Sequence, residues 1–272
     1  MEFSVLMSIY SQDNPRYLDE AITSVFNQNL QPSEVVIVID GPLPDSLEKI
    51  VKKWVDECGN KIKLVELPEN VGLAKALNEG LKHCSYDYVA RMDSDDVCCY
   101  DRFKVQLDYM EEHADIALLG AWYKQYDEQF KNIVTERKVP EDHQSIVKYA
   151  QHRTPINHVT IVFRKSAVLA IGGYPEREGR FEDWWLSLKL IKQGYKLHNL
   201  PLYLVNVRGG DNFIQRRGGV GYLVQEVKNM YRLQAEKLIT LHAFVFNVCI
   251  RALVRLVPNN LREYSYRVIR KV

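Results

Sequence analysis

Phe3 to Ile9 is a short, nearly unbroken apolar run of strand formers, which predicts a buried first strand. Asn14-Pro15 then offers an N-cap followed by proline at the first helical position. Leu18, Ala21, Ile22, Val25 and Phe26 follow at helical spacing, and Gln31-Pro32 breaks the helix. Glu34 to Asp40 (EVVIVID) reads as a second buried strand that closes on Asp40-Gly41-Pro42. The pattern repeats with a helix from about Asp45 to Cys58, a strand over Ile62 to Leu67, a helix from about Leu73 to Cys84 and a strand over Asp87 to Met92. Four strand–helix alternations with short connections predict an α/β fold with a mostly parallel, doubly wound sheet. In such sheets ligands bind beyond the carboxyl ends of the strands. Asp40 and the run Asp93 to Asp96 fall there, so the pocket is expected between them.

The second half is less regular. A helix from Tyr100 to His113 precedes a strand near Ile116 to Ala121, and Tyr123 to Val139 reads as a hairpin or extension. His158 to Phe163 is expected as a strand, Glu182 to Gln193 as a helix with Trp185, Leu188 and Ile191 inward, and Tyr203 to Val207 as the last strand. A Gly- and Arg-rich loop, Arg208 to Tyr222, leads into two or three closing helices. There is no internal repeat and no low-complexity segment.

At 272 residues, 46% hydrophobic and 26% charged, the chain has the make-up of a globular α/β domain with room for an appendage. The net charge of +1 conceals an asymmetry: Arg208 to the end carries 12 Lys/Arg and 4 Asp/Glu, against 24 and 31 before it. A basic tail on an acidic body suits phosphates or anionic lipid, and the plainer reading is a solvated basic surface. No nucleic-acid partner is expected. The five cysteines match neither a disulfide framework nor a zinc site, which fits a reducing cytosol. The N-terminus lacks the basic start and cleavage site of a signal peptide, and no stretch of about 20 residues reads as a spanning helix.

Three segments carry candidate chemistry. In Arg91-Met92-Asp93-Ser94-Asp95-Asp96, three carboxylates crowd within four positions after an apolar strand. Their mutual repulsion is relieved by a hard divalent cation such as Mg²⁺ or Mn²⁺, although Asp95 or Asp96 can also be read as the cap of the next helix. Asp40 suits hydrogen bonds to a ribose or base, and equally suits an Asp-Gly-Pro turn. In Phe181-Glu182-Asp183-Trp184-Trp185 two carboxylates open a helix, where the dipole favours an ionised general base. The adjoining tryptophans suit either a sugar surface or the core. His158 is a lone histidine at a strand start, while Arg208, Arg216 and Arg217 flank loop glycines in a way that suits bidentate phosphate contacts.

Taken in order, SVLMSIYSQDNPRYLDEAITSVFNQ, VVIVIDG, PENVGLAKALNEGL, YVARMDSDD, NHVT and FEDWW resemble the family 2 glycosyltransferases, which have the GT-A fold. The resemblance spans roughly residues 3 to 220 and is nearest to small bacterial enzymes of O-antigen, capsule and exopolysaccharide assembly, amylovoran-type polymers included. It implies a GT-A catalytic domain over 1–220, with a nucleotide-sugar half (about 1–97) and an acceptor half (about 98–220), and a helical, membrane-associating extension over 221–272. It implies donor contacts from Ser8, Tyr10, Asp40, Lys75, Arg91, Asp93 and Arg216, metal on Asp95, acceptor contacts from Glu182, Trp184 and His158, and Asp183 as base. Mn²⁺ or Mg²⁺ is the implied cofactor.

The implied reaction is an inverting transfer of a hexose or N-acetylhexosamine, from a UDP-sugar, to an undecaprenyl-diphosphate-linked saccharide at the inner face of the membrane. One acid, rather than two, precedes the turn at Asp40-Gly41, and Gln215-Arg216-Arg217-Gly218 stands in place of the Gln-x-x-Arg-Trp motif of processive synthases, so single addition is expected. A sugar-nucleotide pyrophosphorylase would need a Gly-rich, Arg-bearing loop after the first strand, and Ser11-Gln12-Asp13-Asn14-Pro15 has no glycine. A phosphatase of the Asp-x-Asp type would carry its motif after the first strand, whereas this one follows the fourth. The non-enzymatic alternative is a nucleotide-sugar-binding scaffold, against which Asp95 and Asp183 argue. Over Leu238 to Val257 an apolar helix has His242, Asn247, Arg251 and Arg255 to one side, with Pro258 and then Arg262, Arg267, Arg270 and Lys271 beyond. It suits either an interfacial helix on anionic lipid or a helix packed on the body.

Overall fold

The computed structural model describes residues 1–176, 181–209 and 220–256. The first strand, β1 (Ser4–Ile9), is buried along nearly its whole length. Helix α1 (Pro15–Phe26) starts as expected: the Asn14 side chain accepts the Arg16 and Tyr17 amides at 3.0 and 3.4 Å, with Pro15 in the first turn. The alternation continues through β2 (Glu34–Asp40), α2 (Asp45–Cys58), β3 (Ile62–Leu67), α3 (Leu73–His83) and β4 (Tyr88–Met92). Gly80 lets α3 lie close on the sheet, because a Cβ there would stand 2.5 Å from side-chain atoms of Leu6 and Val38.

The second half adds β5 (Val97–Cys98), α4 (Arg102–Glu112), β6 (Ile116–Tyr126), β7 (Ile133–Arg137), α5 (His143–Ala150), β8 (Val162–Arg164), α6 (Lys165–Ala170), α7 (Glu182–Lys192), β9 (Lys196–Arg208), α8 (Val220–Ala235) and α9 (Leu241–Leu256). The expected hairpin is present as β6–β7. His158 to Thr160 is a single 3-10 turn rather than the start of a strand, since Thr160 turns inward and its hydroxyl serves the backbone of Ala121 and Asn157. Neither Asp95 nor Asp96 caps α4, which begins after Asp101.

The sheet runs β3-β2-β1-β4-β8-β6-β9-β5, with β7 alongside β6. The ladders among β3, β2, β1 and β4 are parallel, as is β6 with β9. The other four are antiparallel, so the sheet expected to be mostly parallel is parallel through the first half and mixed in the second. From β1 the chain steps first toward β3 and later back to β4, which opens a crevice beyond the carboxyl ends of β1 and β4. Two apolar layers cover the sheet, and a third cluster joins Trp184, Trp185 and Leu188 of α7 to Leu233 of α8 and Ala243 of α9.

Candidate active site

Ile9 and Met92 end adjacent strands, so the β1–α1 loop and the Asp93–Asp96 loop leave the sheet side by side. Ser8 is half-buried and Tyr10 is exposed. Asp13 folds back between them: its Oδ2 accepts the Tyr10 amide at 3.1 Å, while Ser94 hydrogen-bonds the same carboxylate. Burial, with Asp93 nearby, pushes the Asp13 carboxyl up to about 6. Sequence reasoning missed Asp13, although a strand-end acid was the signal that singled out Asp40.

Carboxylate oxygens of Asp93, Asp95 and Asp96 lie within 4.8 Å of one another. Their environments differ. Asp93 is gripped by both terminal nitrogens of Arg91, a buried guanidinium with an Nη1–Oδ2 distance of 2.6 Å. Asp96 is buried and accepts the Arg208 amide at 2.9 Å. Asp95 opens to the cleft, yet the atoms packed around it and the charges of Asp93 and Asp13 push its carboxyl up to about 6. Burial and the other two acids likewise raise Asp96 well above its ordinary value. A divalent cation would remove that repulsion, and an all-oxygen donor set is the chemistry of Mg²⁺ or Mn²⁺, so these residues fit the metal the sequence implies.

The acidic cluster meets the FEDWW segment around Tyr174. This buried phenol lies within electrostatic reach of Arg91, Asp93, Glu182 and Asp183, and its hydroxyl is 3.3 Å from His158 Nε2. Burial and the Arg91 charge hold the His158 pKa well below its usual value, so the ring is neutral at pH 7. Asp183 sits in the first turn of α7, with its Oδ1 accepting the Trp184 amide at 2.7 Å. Burial and the Asp183 charge push Glu182 up to about 7, and its buried Oε2 has no hydrogen-bond partner among the described residues.

Several expected contacts look different in three dimensions. Arg91 is committed to Asp93, so it positions that carboxylate and is not a free cation for a nucleotide. Asp40 is buried, and its oxygens accept the Val71 and Gly72 amides at 2.7 and 3.0 Å; the contact on view is the turn. Gly41 passes that turn at φ +86°, where a Cβ would stand 2.7 Å from the Asn70 nitrogen. Lys75 is exposed on the first turn of α3. Trp184 does not face an acceptor: it is buried and donates its indole N–H to the Ala150 carbonyl at 2.7 Å, while Trp185 donates to Asn229 at 2.6 Å.

Arg208, expected to meet phosphate, is buried between the rings of Tyr17 and Phe130, 3.8 and 4.0 Å from their centroids, and paired with Glu20. Its Nε donates to the Asp95 carbonyl at 3.1 Å, so it ties the acidic loop to the end of β9. Arg216 and Arg217 lie outside the described residues.

A strand-end carboxylate cluster that shares Tyr174 as neighbour with a helix-borne acid suits sugar-nucleotide transfer, and comparison with known proteins agrees. The model of the family named "Glycosyl transferase family 2" matches residues 4–171. The chain belongs to this family. It is a glycosyltransferase. It is 36% identical over 271 residues to the UDP-Gal:alpha-D-GlcNAc-diphosphoundecaprenol beta-1,3-galactosyltransferase of Escherichia coli, covering 99% of this chain and 97% of that one. It is also 36% identical over 270 residues to the amylovoran biosynthesis glycosyltransferase AmsE of Erwinia amylovora, covering 99% of each. The structure of S. aureus TarS 1-349 in complex with UDP-GlcNAc superimposes with a TM-score of 0.62 at 20% identity, over 86% of this chain and 66% of that one. That likeness shows the fold, GT-A.

Proposed function

We propose that this glycosyltransferase moves a hexose or N-acetylhexosamine from a UDP-sugar, with inversion, to a hydroxyl of an undecaprenyl-diphosphate-linked saccharide during bacterial surface-polysaccharide synthesis. The observation that carries the reading is the convergence of the Asp93–Asp95–Asp96 cluster with Glu182 and Asp183 around Tyr174. The lipid-linked acceptor is supported by the name of the E. coli relative, which matches end to end. Asp95, facing the cleft, would hold Mn²⁺ or Mg²⁺, which supplies charge neutralisation at the donor diphosphate. Asp93, oriented by Arg91, takes the ribose side, with Ser8, Tyr10, Asp40 and Lys75 around the nucleoside and Arg216 on the diphosphate.

Asp183 accepts the proton of the acceptor hydroxyl as that oxygen attacks the anomeric carbon, and Glu182 and His158 line the acceptor side. No covalent intermediate on the chain is required.

Residues 1–220 form the catalytic domain in this reading, and 221–272 the membrane-associating extension on the inner face. Among the described residues no helix is long and apolar enough to cross a membrane. Instead α9 is inverted: its polar line, Asn247 and Arg251, faces the body, while Leu241, Val245, Phe246, Ile250 and Leu253 are 40–66% exposed. An outward apolar arc on a chain serving a lipid-linked acceptor suits interfacial insertion. The basic residues Arg262, Arg267, Arg270 and Lys271, which would add attraction to anionic lipid, lie outside the described residues.

The test is UDP release from a panel of nucleotide sugars, with Mn²⁺ and with EDTA, in the presence of an N-acetylglucosamine diphosphate lipid. Metal-dependent, acceptor-stimulated release from one donor is expected. A folded protein that binds no nucleotide sugar with metal present refutes the reading.

A further inference from the structure

Near Asp183, two arginines share a tyrosine as neighbour. Arg137 ends β7, and Arg153 follows α5. The strongest electrostatic neighbours of the Arg137 guanidinium are the hydroxyls of Tyr123 and Tyr149 and the carboxylate of Asp183. Arg153 Nη1 lies 3.4 Å from the same Tyr149 hydroxyl, with the guanidinium 5.5 Å from the ring centroid. Both side chains are half-buried. Neither makes an ion pair with a carboxylate within 4.0 Å among the described residues; Arg137 hydrogen-bonds the Tyr123 hydroxyl and reaches the Thr154 carbonyl at 3.5 Å. Asp183 is the one charged group among those neighbours, so the two guanidinium groups keep N–H donors that phosphate oxygens can take.

The same segment is the seam with α9. Asn247 Nδ2 donates to the Gln151 carbonyl at 2.9 Å, His152 Nδ1 is 3.0 Å from Asn247 Oδ1, and Arg251 Nη2 donates to the His152 carbonyl at 3.1 Å. Phe246, on the outward apolar arc, packs edge-on against His152, with ring centroids 5.3 Å apart. One path therefore runs from the apolar face of α9, across Gln151–His152, to Arg153 and Arg137, and on to Asp183.

We infer that Arg137 and Arg153 form the binding site for the diphosphate of the lipid-linked acceptor, holding it between the membrane face and the base. This rests on the acceptor class given under Proposed function. Guanidinium groups match phosphate oxygens bidentately, and Tyr149 holds the Arg153 fork in place. The donor also carries a diphosphate, but in the proposed reading that diphosphate is held at the acidic cluster with the metal.

The experiment compares two acceptors, a short alkyl diphosphate α-linked to N-acetylglucosamine and the alkyl α-glycoside of the same sugar without the diphosphate. Wild type is expected to prefer the diphosphate acceptor in kcat/KM. Arg137→Gln and Arg153→Gln should each raise KM for the diphosphate acceptor at least tenfold, consistent with loss of a charge-assisted contact, and should collapse the preference for it. The KM for the UDP-sugar should hold. Arg153→Lys, which keeps the charge in a gentler replacement, should lose less than Arg153→Gln. An unchanged preference in the folded Gln variants overturns the inference, as does an equal loss with both acceptors. A rise confined to donor KM assigns the arginines to the donor diphosphate and also overturns it. If wild type uses neither acceptor while still releasing UDP from its donor, the acceptor class itself fails, which is a distinguishable result.

Discussion

Glu182→Gln should make the protein more stable at pH 8 and leave it unchanged near pH 4. Glu182 opens α7 with its carboxyl pushed from 4.5 to about 7 by burial and by the Asp183 charge. The folded state thus holds the Glu182 proton more tightly than the unfolded chain does. Its contribution is fully present below pH 4.5 and is lost as pH rises to about 7. At about 1.4 kcal/mol per tenfold change in proton affinity, the ionised carboxylate costs on the order of 3 kcal/mol at pH 8. Glutamine keeps the shape without the charge. Its amide takes the place of the protonated carboxyl, and in both the Oε2 position has no hydrogen-bond partner among the described residues, so the two side chains cost alike near pH 4. The gain at pH 8 is then roughly 1–3 kcal/mol, and at about 2–4 °C per kcal/mol that is several degrees in Tm.

The assay is thermal unfolding of both proteins in EDTA at half-unit steps from pH 4 to 8, EDTA keeping cations from the neighbouring aspartates. The two curves should coincide at the acid end and separate between pH 4.5 and 7. A constant offset across the range, or a less stable glutamine variant at pH 8, refutes the reasoning.

Asp183→Asn keeps the hydrogen bond from the Trp184 amide and removes the proton acceptor, so turnover should fall about 10²–10⁴-fold while donor binding by calorimetry persists; full turnover would remove Asp183 from the base role. Phe246→Asp with Leu253→Asp places two charges on the outward arc of α9, and flotation with anionic liposomes at low salt should lose the protein, while turnover of a short-chain soluble acceptor survives. Wild type that ignores such liposomes would show that the arc serves something other than lipid.

The first half of the chain was legible because its signals are local. An apolar run of six residues must be buried, and Asn14-Pro15 must start a helix, whatever the rest of the chain does. A carboxylate crowd after a strand implies a cation at a known place in an α/β sheet, and Glu182-Asp183 at a helix start is visible as spacing alone.

What the tertiary structure decided is where each polar group spends its hydrogen bonds, and that depends on partners far along the chain. Trp184 reads as sugar platform or, more often for tryptophan, as core until Ala150 takes its indole N–H. Arg208 reads as a phosphate ligand until Tyr17, Glu20 and Phe130 enclose it. Asp13 and Tyr174 carry no motif, and only folding brings them to the acidic cluster, as it brings Arg137 near Asp183 and Arg153 onto Tyr149.

Periodicity announced α9 as amphipathic but not which side faces the body. Its polar line turns inward because Gln151, His152 and Glu226 offer that line the partners a buried polar group requires, which leaves the apolar arc outside.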